Sequence, residues 1–590
     1  MIDEKRGAYG LTPLERSRRQ SLRWRPVVVL SSLLLAGVLW LSSRSGNLEY
    51  PDLYEASIVE LQTGLDKGHF TSVDLVKAYL IRIDEVNIKG PALQAVIETN
   101  PSALEQAAAL DTERKKSGKR SALHGIPIIL KDNMATLASE GMNTTAGSYA
   151  LFRSIVPGDA TVVAKLRKAG AIFLGKANLV RSARARCEPS LDKYRPQSEW
   201  SHARGLLAAG WSGRGGQATN PYYPGGDPFG SSSGSAIAAA IGLAAGSLGT
   251  DTHGSIVCPS SFNNLVGIRP TVGLTSRAGV IPISAHQDTV GPMTRNVADA
   301  ATILTIIAGR DKNDNYTLAA PDGIPDYTQY LDAGSVRGKR FGVPRIVFMN
   351  DTLFKIHPSV HLAFANALEI IQSLGGIIVD PADLPSAIEI MENRNETLVL
   401  GVDMKIQINA YLKNLRSIPT GATTLSKIIA YNDGHKDLEE PEDYADQIGL
   451  RWAEATLGYN SSYYNAIHND YDLGRTRGID ATLATHKLDA LILPSNEHTA
   501  VPAAIAGYPI VTVPLGFHPE DTVVVPKSAG PNTVFPAPGI PFGLSFLGTA
   551  YSEPSLISFA YAYEQKTQVR LQRRAYSAAV PKTQLKDVVH

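Results

Sequence analysis

The chain has 590 residues with 57 Lys+Arg against 56 Asp+Glu, so it is near neutral and offers no broad electrostatic footprint for a nucleic-acid partner. Two cysteines, Cys187 and Cys258, with no C-x-x-C pair, no HExxH helix and no GxxxxGK[ST] loop exclude the common zinc and nucleotide motifs, and no metal or cofactor is expected. At 44% hydrophobic residues, a chain of this length can bury a large, dry core.

Residues 1–47 differ in composition from the rest. Lys5, Arg6, Arg16, Arg18, Arg19, Arg23 and Arg25 precede the apolar run 27–41, and only Arg44 follows closely. TPLE at 12–15 has the form of a capping box for a short basic helix. The run is at the lower edge for spanning a bilayer and near the length of a signal-peptide core. The charge bias predicts a single-pass membrane anchor with a lumenal or extracellular body, and secretion after signal cleavage is the alternative. Sequons at Asn143, Asn315, Asn350, Asn395 and Asn460 are compatible with either, although chance alone yields a few.

From residue 48 to 590 the pattern predicts one catalytic domain. Thr71 caps a helix over 72–86 with apolar residues at helical spacing, and short apolar runs at 126–130, 171–175, 488–494 and 509–515 read as strands. This alternation indicates α/β layering. The run 126–130 ends at Lys131, which a strand would carry into the interior; taken alone, Lys131 reads equally as a snorkelling surface lysine. Ser231 and Ser255 lie 24 positions apart in GSSSGSAIAAAIGLAAGSLGTDTHGSI. The stretch 235–246 between them is apolar on every face and predicts a buried helix with a serine on a tight loop at each end.

A lysine can take a proton from a serine only as the free amine, so burial must lower its pKa from about 10.4 to near 7 at a cost of about 4 to 5 kcal/mol. A second serine between them can relay that proton and later return it to a departing amine. Gly230 to Gly234 also satisfies G-x-S-x-G around Ser232, the nucleophile elbow of an α/β-hydrolase esterase, for which His124, His253 or His286 would be the base. That elbow needs a strand before it, and the preceding TNPYYPGGDPF is a poor one. Cys258 reads as a small apolar filler beside the site.

HGIPIILKDN, GSSSGSA, GTDTHGSI, the stretch 267–301, AGYPIVTVPLGF and PFGLSFLG together resemble the amidase signature family of Ser-Ser-Lys hydrolases, from about Ser57 to about Arg570, with fungal amidases most similar. The resemblance implies a mixed central sheet covered on both faces by helices, hydrolysis of the carbon–nitrogen bond of a small-molecule amide through an acyl-enzyme, and no cofactor. It implies Ser255 as nucleophile, Ser231 as a bridging serine on a cis peptide and Lys131 as base, with the backbone N–H groups of Thr252, His253, Gly254 and Ser255 as oxyanion hole. An ester or fatty acid amide substrate, and a non-catalytic amidase-like protein, are the alternatives. Residues 311–485 match least and hold the substrate funnel in the family. Oligomeric state is not legible.

In the family LGKANL and SEWSHARG would read on continuously, but residues 180–197, VRSARARCEPSLDKYRPQ, intervene. These 18 residues carry four arginines, a lysine and Cys187, without helical or strand period. They correspond to 54 nucleotides that can begin GT and end AG, the two intron boundary signals, so a retained intron in the gene model is expected; a solvated surface loop is the alternative.

Overall fold

The strand predicted at 126–130 forms as β2 (Pro127–Lys131), every residue buried, in a computed structural model that describes residues 50–179, 209–346, 348–351, 356–442, 444, 447–526 and 533–589. The other strands are β1 (Val96–Thr99), β3 (Ile172–Ala177), the short pair β4 (Trp211–Ser212) and β5 (Gly216–Gln217), and β6 (Gly246–Asp251). They continue as β7 (Val266–Arg269), β8 (Thr289–Thr294), β9 (Arg340–Gly342), β10 (Ile377–Val379), β11 (Ala490–Ser495), β12 (Ile510–Phe517) and β13 (Pro541–Leu547). Eleven of these form one sheet in the order β1-β3-β2-β6-β8-β7-β12-β13-β11-β9-β10. It is mixed: β2 runs parallel to β3 and β6, whereas β8, β7, β12 and β13 pair antiparallel in succession.

Successive residues of a strand point to opposite faces, and β2, β3, β7, β8, β11 and β13 are buried at every position, so both faces of the sheet are covered. The cover includes α1 (Ser72–Val86), α2 (Ser233–Ala240), α3 (Val257–Phe262) and α4 (Val297–Ile307). Farther along come α5 (Asn395–Lys413), α6 (Leu425–Gly434), α7 (Ile448–Ala455) and α8 (Glu553–Thr567). Thr71 caps α1 as expected: its hydroxyl accepts the Asp74 N–H at 3.1 Å, and the Asp74 carboxylate accepts the Thr71 N–H at 2.9 Å.

The helix expected over 235–246 is shorter. α2 ends at Ala240, and the chain turns through Gly242, at φ 66°, into β6. A Cβ at Gly242 would lie 2.1 Å from the Leu53 carbonyl oxygen, so the helix must stop where this contact demands glycine. Three buried arginines donate to the carbonyls of this turn. Arg295 donates to Ala239, Ala244 and Ala245, Arg570 to Ala240, and Arg82 to Ile241 and Gly242, all between 2.7 and 3.0 Å. Cations at a helix C-terminus also oppose its negative dipole end. Ser231 and Ser255 are thus separated by a helix, a braced turn and a strand rather than by one helix.

The expected membrane placement, and secretion with it, is overturned and not carried further. Among the described residues no helix is long and apolar enough to cross a membrane. The 19-residue α5 carries Glu396, Asp403, Lys405 and Lys413 along its length. The run 27–41, TPLE at 12–15, Cys187 and the insertion 180–197 lie outside the described residues.

Candidate active site

β2 and β6 are parallel neighbours, with Leu130 opposite Leu248, so their C-terminal ends reach the same edge of the sheet. Lys131 closes β2 and Thr250 lies near the end of β6. The turn into α2 lays Ser231 and Ser232 over them, and the Gly230–Ser231 peptide bond is cis. Lys131 Nζ is consequently 2.7 Å from Ser231 Oγ, 3.0 Å from Ser232 Oγ and 2.8 Å from Thr250 Oγ1. Asn133 Nδ2 donates to the same Thr250 hydroxyl at 3.0 Å. Lys131 is 1% exposed, and burial brings its pKa down to about 7 against the opposing pull of Asp251 and Asp288.

Ser255 sits between β6 and α3 and lines the same cavity as Lys131 and Ser231. Asp251 shapes its loop. One carboxylate oxygen accepts the Gly254 N–H at 2.7 Å; the other accepts those of Ile256 and Val257 at 2.7 and 3.3 Å. Arg269 neutralises this carboxylate at 2.6 Å, both side chains being wholly buried. The Gly254 N–H is therefore committed to Asp251, which removes it from the four backbone donors expected of an oxyanion hole. Thr252 is held by its hydroxyl, which donates to Asp288 at 2.5 Å. His253 Nδ1 is 2.7 Å from Glu396 Oε1 on α5, and Gln287 donates to that same oxygen. Burial raises the pKa of Glu396, but His253 and these hydrogen bonds bring it below the ordinary carboxylate value.

Loop, not strand, precedes Gly230, as expected from its prolines, and Ser232 is wholly buried with its hydroxyl donating to Thr250 O at 3.1 Å. The histidines considered for an elbow are engaged elsewhere: His124 with Leu110 O and the Arg120 N–H, His286 with Asp403 at 2.8 Å, and His253 with Glu396. The basic group at Ser232 is Lys131. Cys258 is buried on α3, where a Cβ on Gly254 would meet its Sγ at 2.9 Å. GMNTTAGS supplies Thr145, Ala146 and Ser148 to the cavity, and the Asn143 amide is hydrogen-bonded to Glu98.

Sequence reasoning missed Thr250, Asp251, Arg269, Asp288 and Glu396. The first two stand inside GTDTHGSI and could have been nominated there; the others come from distant segments whose approach only the fold supplies. It also missed Lys176, a second fully buried lysine with its pKa lowered by burial to about 8. Lys176 is spent on Met134 O at 2.7 Å and Thr144 Oγ1 at 3.0 Å.

Above this floor the cavity is walled largely by aliphatic side chains of α5, α6 and α7 and of residues 281–283.

A sequence model of the amidase family matches residues 74–557. A protein of Arthroderma benhamiae described as an amidase is 39% identical over 92% of this chain and 90% of its own length. One of Arabidopsis thaliana, described likewise, is 38% identical over 88% and 91%. The native peptide amidase from Stenotrophomonas maltophilia superposes with a TM-score of 0.75 at 39% identity, covering 90% of this chain and 99% of that one.

Proposed function

The chain belongs to the amidase family and is an amide-hydrolysing enzyme, and from that premise we propose that Ser255, Ser231 and Lys131 carry out the hydrolysis in turn. The observation that carries the assignment is the 2.7 Å contact of a buried lysine, its pKa near 7, with Ser231 in a cavity that also holds Ser255. As the free amine, Lys131 takes the proton of Ser231 while Ser231 takes that of Ser255. Ser255 Oγ attacks the amide carbon, and the charge that develops on the carbonyl oxygen falls to the backbone N–H groups of Thr252, His253 and Ser255. The proton returns through Ser231 to the amide nitrogen, the C–N bond breaks and the amine leaves. Water then enters by the same relay, attacks the acyl-Ser255 ester and releases the acid.

Each residue's role has a kinetic consequence. Ser255→Ala should abolish hydrolysis of a simple primary amide, and Ser231→Ala and Lys131→Ala should lower kcat by about a hundredfold or more while the melting temperature shows a folded protein. Ser232→Ala should cost less. Retained turnover in Ser255→Ala, with Ser232→Ala inactive, would overturn the assignment.

A further inference from the structure

Helix α5 carries Glu396, Leu400, Met404, Ile408 and Leu412 at four-residue spacing, so each neighbours the next in a row that winds about 40° around the helix per step. The row has two parts. Glu396 holds His253, two residues before Ser255, and the other four line the cavity. From Leu400 to Leu412 it extends about 18 Å at 1.5 Å per residue. Ile428 of α6 and Leu450 of α7 face the same cavity, and Met404, Ile408 and Leu412 pack with them in one apolar cluster. Among the described lining residues, Lys131 is the only Asp, Glu, Lys or Arg, and the only histidine is His253, paired with Glu396. A charged substituent lying against Leu400, Met404, Ile408 and Leu412 would lose its hydration and find no counter-charge among these four side chains, whereas a methylene would gain.

We infer that α5 is the specificity element and that the amide it selects is borne on an uncharged aliphatic group lying along this row. The inference rests on the Ser255 amidase reading and adds the substrate class. It also gives α5 two roles, since the helix that reads the aliphatic group also fixes, through Glu396, the loop that carries out the chemistry.

The test uses the full chain and straight-chain primary amides from acetamide to decanamide, ω-amino and ω-carboxyl amides of matched length, and a charged dipeptide amide. The expected result is a kcat/KM that rises about fourfold for each added methylene until the row is filled, with the charged analogues at least tenfold below their uncharged counterparts. Met404→Glu should lower kcat/KM for octanamide by more than tenfold and narrow the gap to the ω-amino amide; this series is read against the wild-type profile, which needs no variant to fold. A flat length dependence, equal use of charged analogues, or preference for the dipeptide amide overturns the inference. If a fluorophosphonate marks Ser255 but the alkyl amides are not cleaved, the aliphatic class falls and the amidase reading stands. If neither labelling nor turnover of any amide occurs, both fall.

Discussion

Lys131 can act as a base only after losing its proton, and burial places that loss at about pH 7 rather than in the ordinary lysine range. Accordingly kcat/KM should rise with pH through about 7 and level off above it, measured on an uncharged amide so that the substrate does not titrate. The same shift predicts stability. Below pH 7 the folded protein holds a buried ammonium, at a cost of about 4 to 5 kcal/mol that fades as pH rises from 7 toward the unfolded lysine value near 10.5. Lys131→Met should therefore raise the melting temperature more at pH 6 than at pH 9, and an equal effect at both would contradict a lysine of lowered pKa. At this scale the sequence was informative where placement is written locally: Lys131 at the end of an apolar run, and the two serines in glycine-rich turns, which the fold brings to one cavity. It was silent where a residue acts on one far away. Asp251 and Arg269 are 18 positions apart and Glu396 is 143 from His253, and no local pattern joins them.

The turn between α2 and β6 presents six carbonyls to Arg82, Arg295 and Arg570, and these arginines come from three separate segments of the chain. Arg82→Met keeps the apolar stem but leaves the Ile241 and Gly242 carbonyls buried without that donor, which should cost about 2 to 4 kcal/mol by chemical denaturation. A change below about 0.5 kcal/mol would show that the arginine does not brace the turn. The apolar composition of 235–246 promised a helix, and composition cannot report that Leu53 crosses at Gly242 and ends it. α5 was illegible for the opposite reason. Its row of Leu400, Met404, Ile408 and Leu412 has helical spacing, but Asp403, Lys405 and Gln407 interrupt it, and its partners α6 and α7 lie on both sides of a charged, proline-bearing stretch.

Across the whole molecule, alternation of helical and strand-like runs sufficed to expect α/β layering, and the eleven-stranded mixed sheet with buried faces agrees with it. Strand order was not legible, because β9 and β10 reach the sheet edge through residues 340–379, whose pattern from sequence is weak. The basic and apolar N-terminus misled in the other direction, since a local hydropathy pattern was read as an address for the entire body. The fold brings the C-terminal ends of two adjacent parallel strands, one bearing Lys131 and one leading to the loop of Ser255, beneath the turn that carries Ser231 and Ser232. The claim that this junction makes Ser255 the nucleophile is tested most directly by labelling the protein with a fluorophosphonate and mapping the modified peptide. The account predicts a single adduct on Ser255, lost in Ser255→Ala and formed far more slowly in Lys131→Ala; an adduct on Ser232, or undiminished labelling of Ser255→Ala, would contradict it.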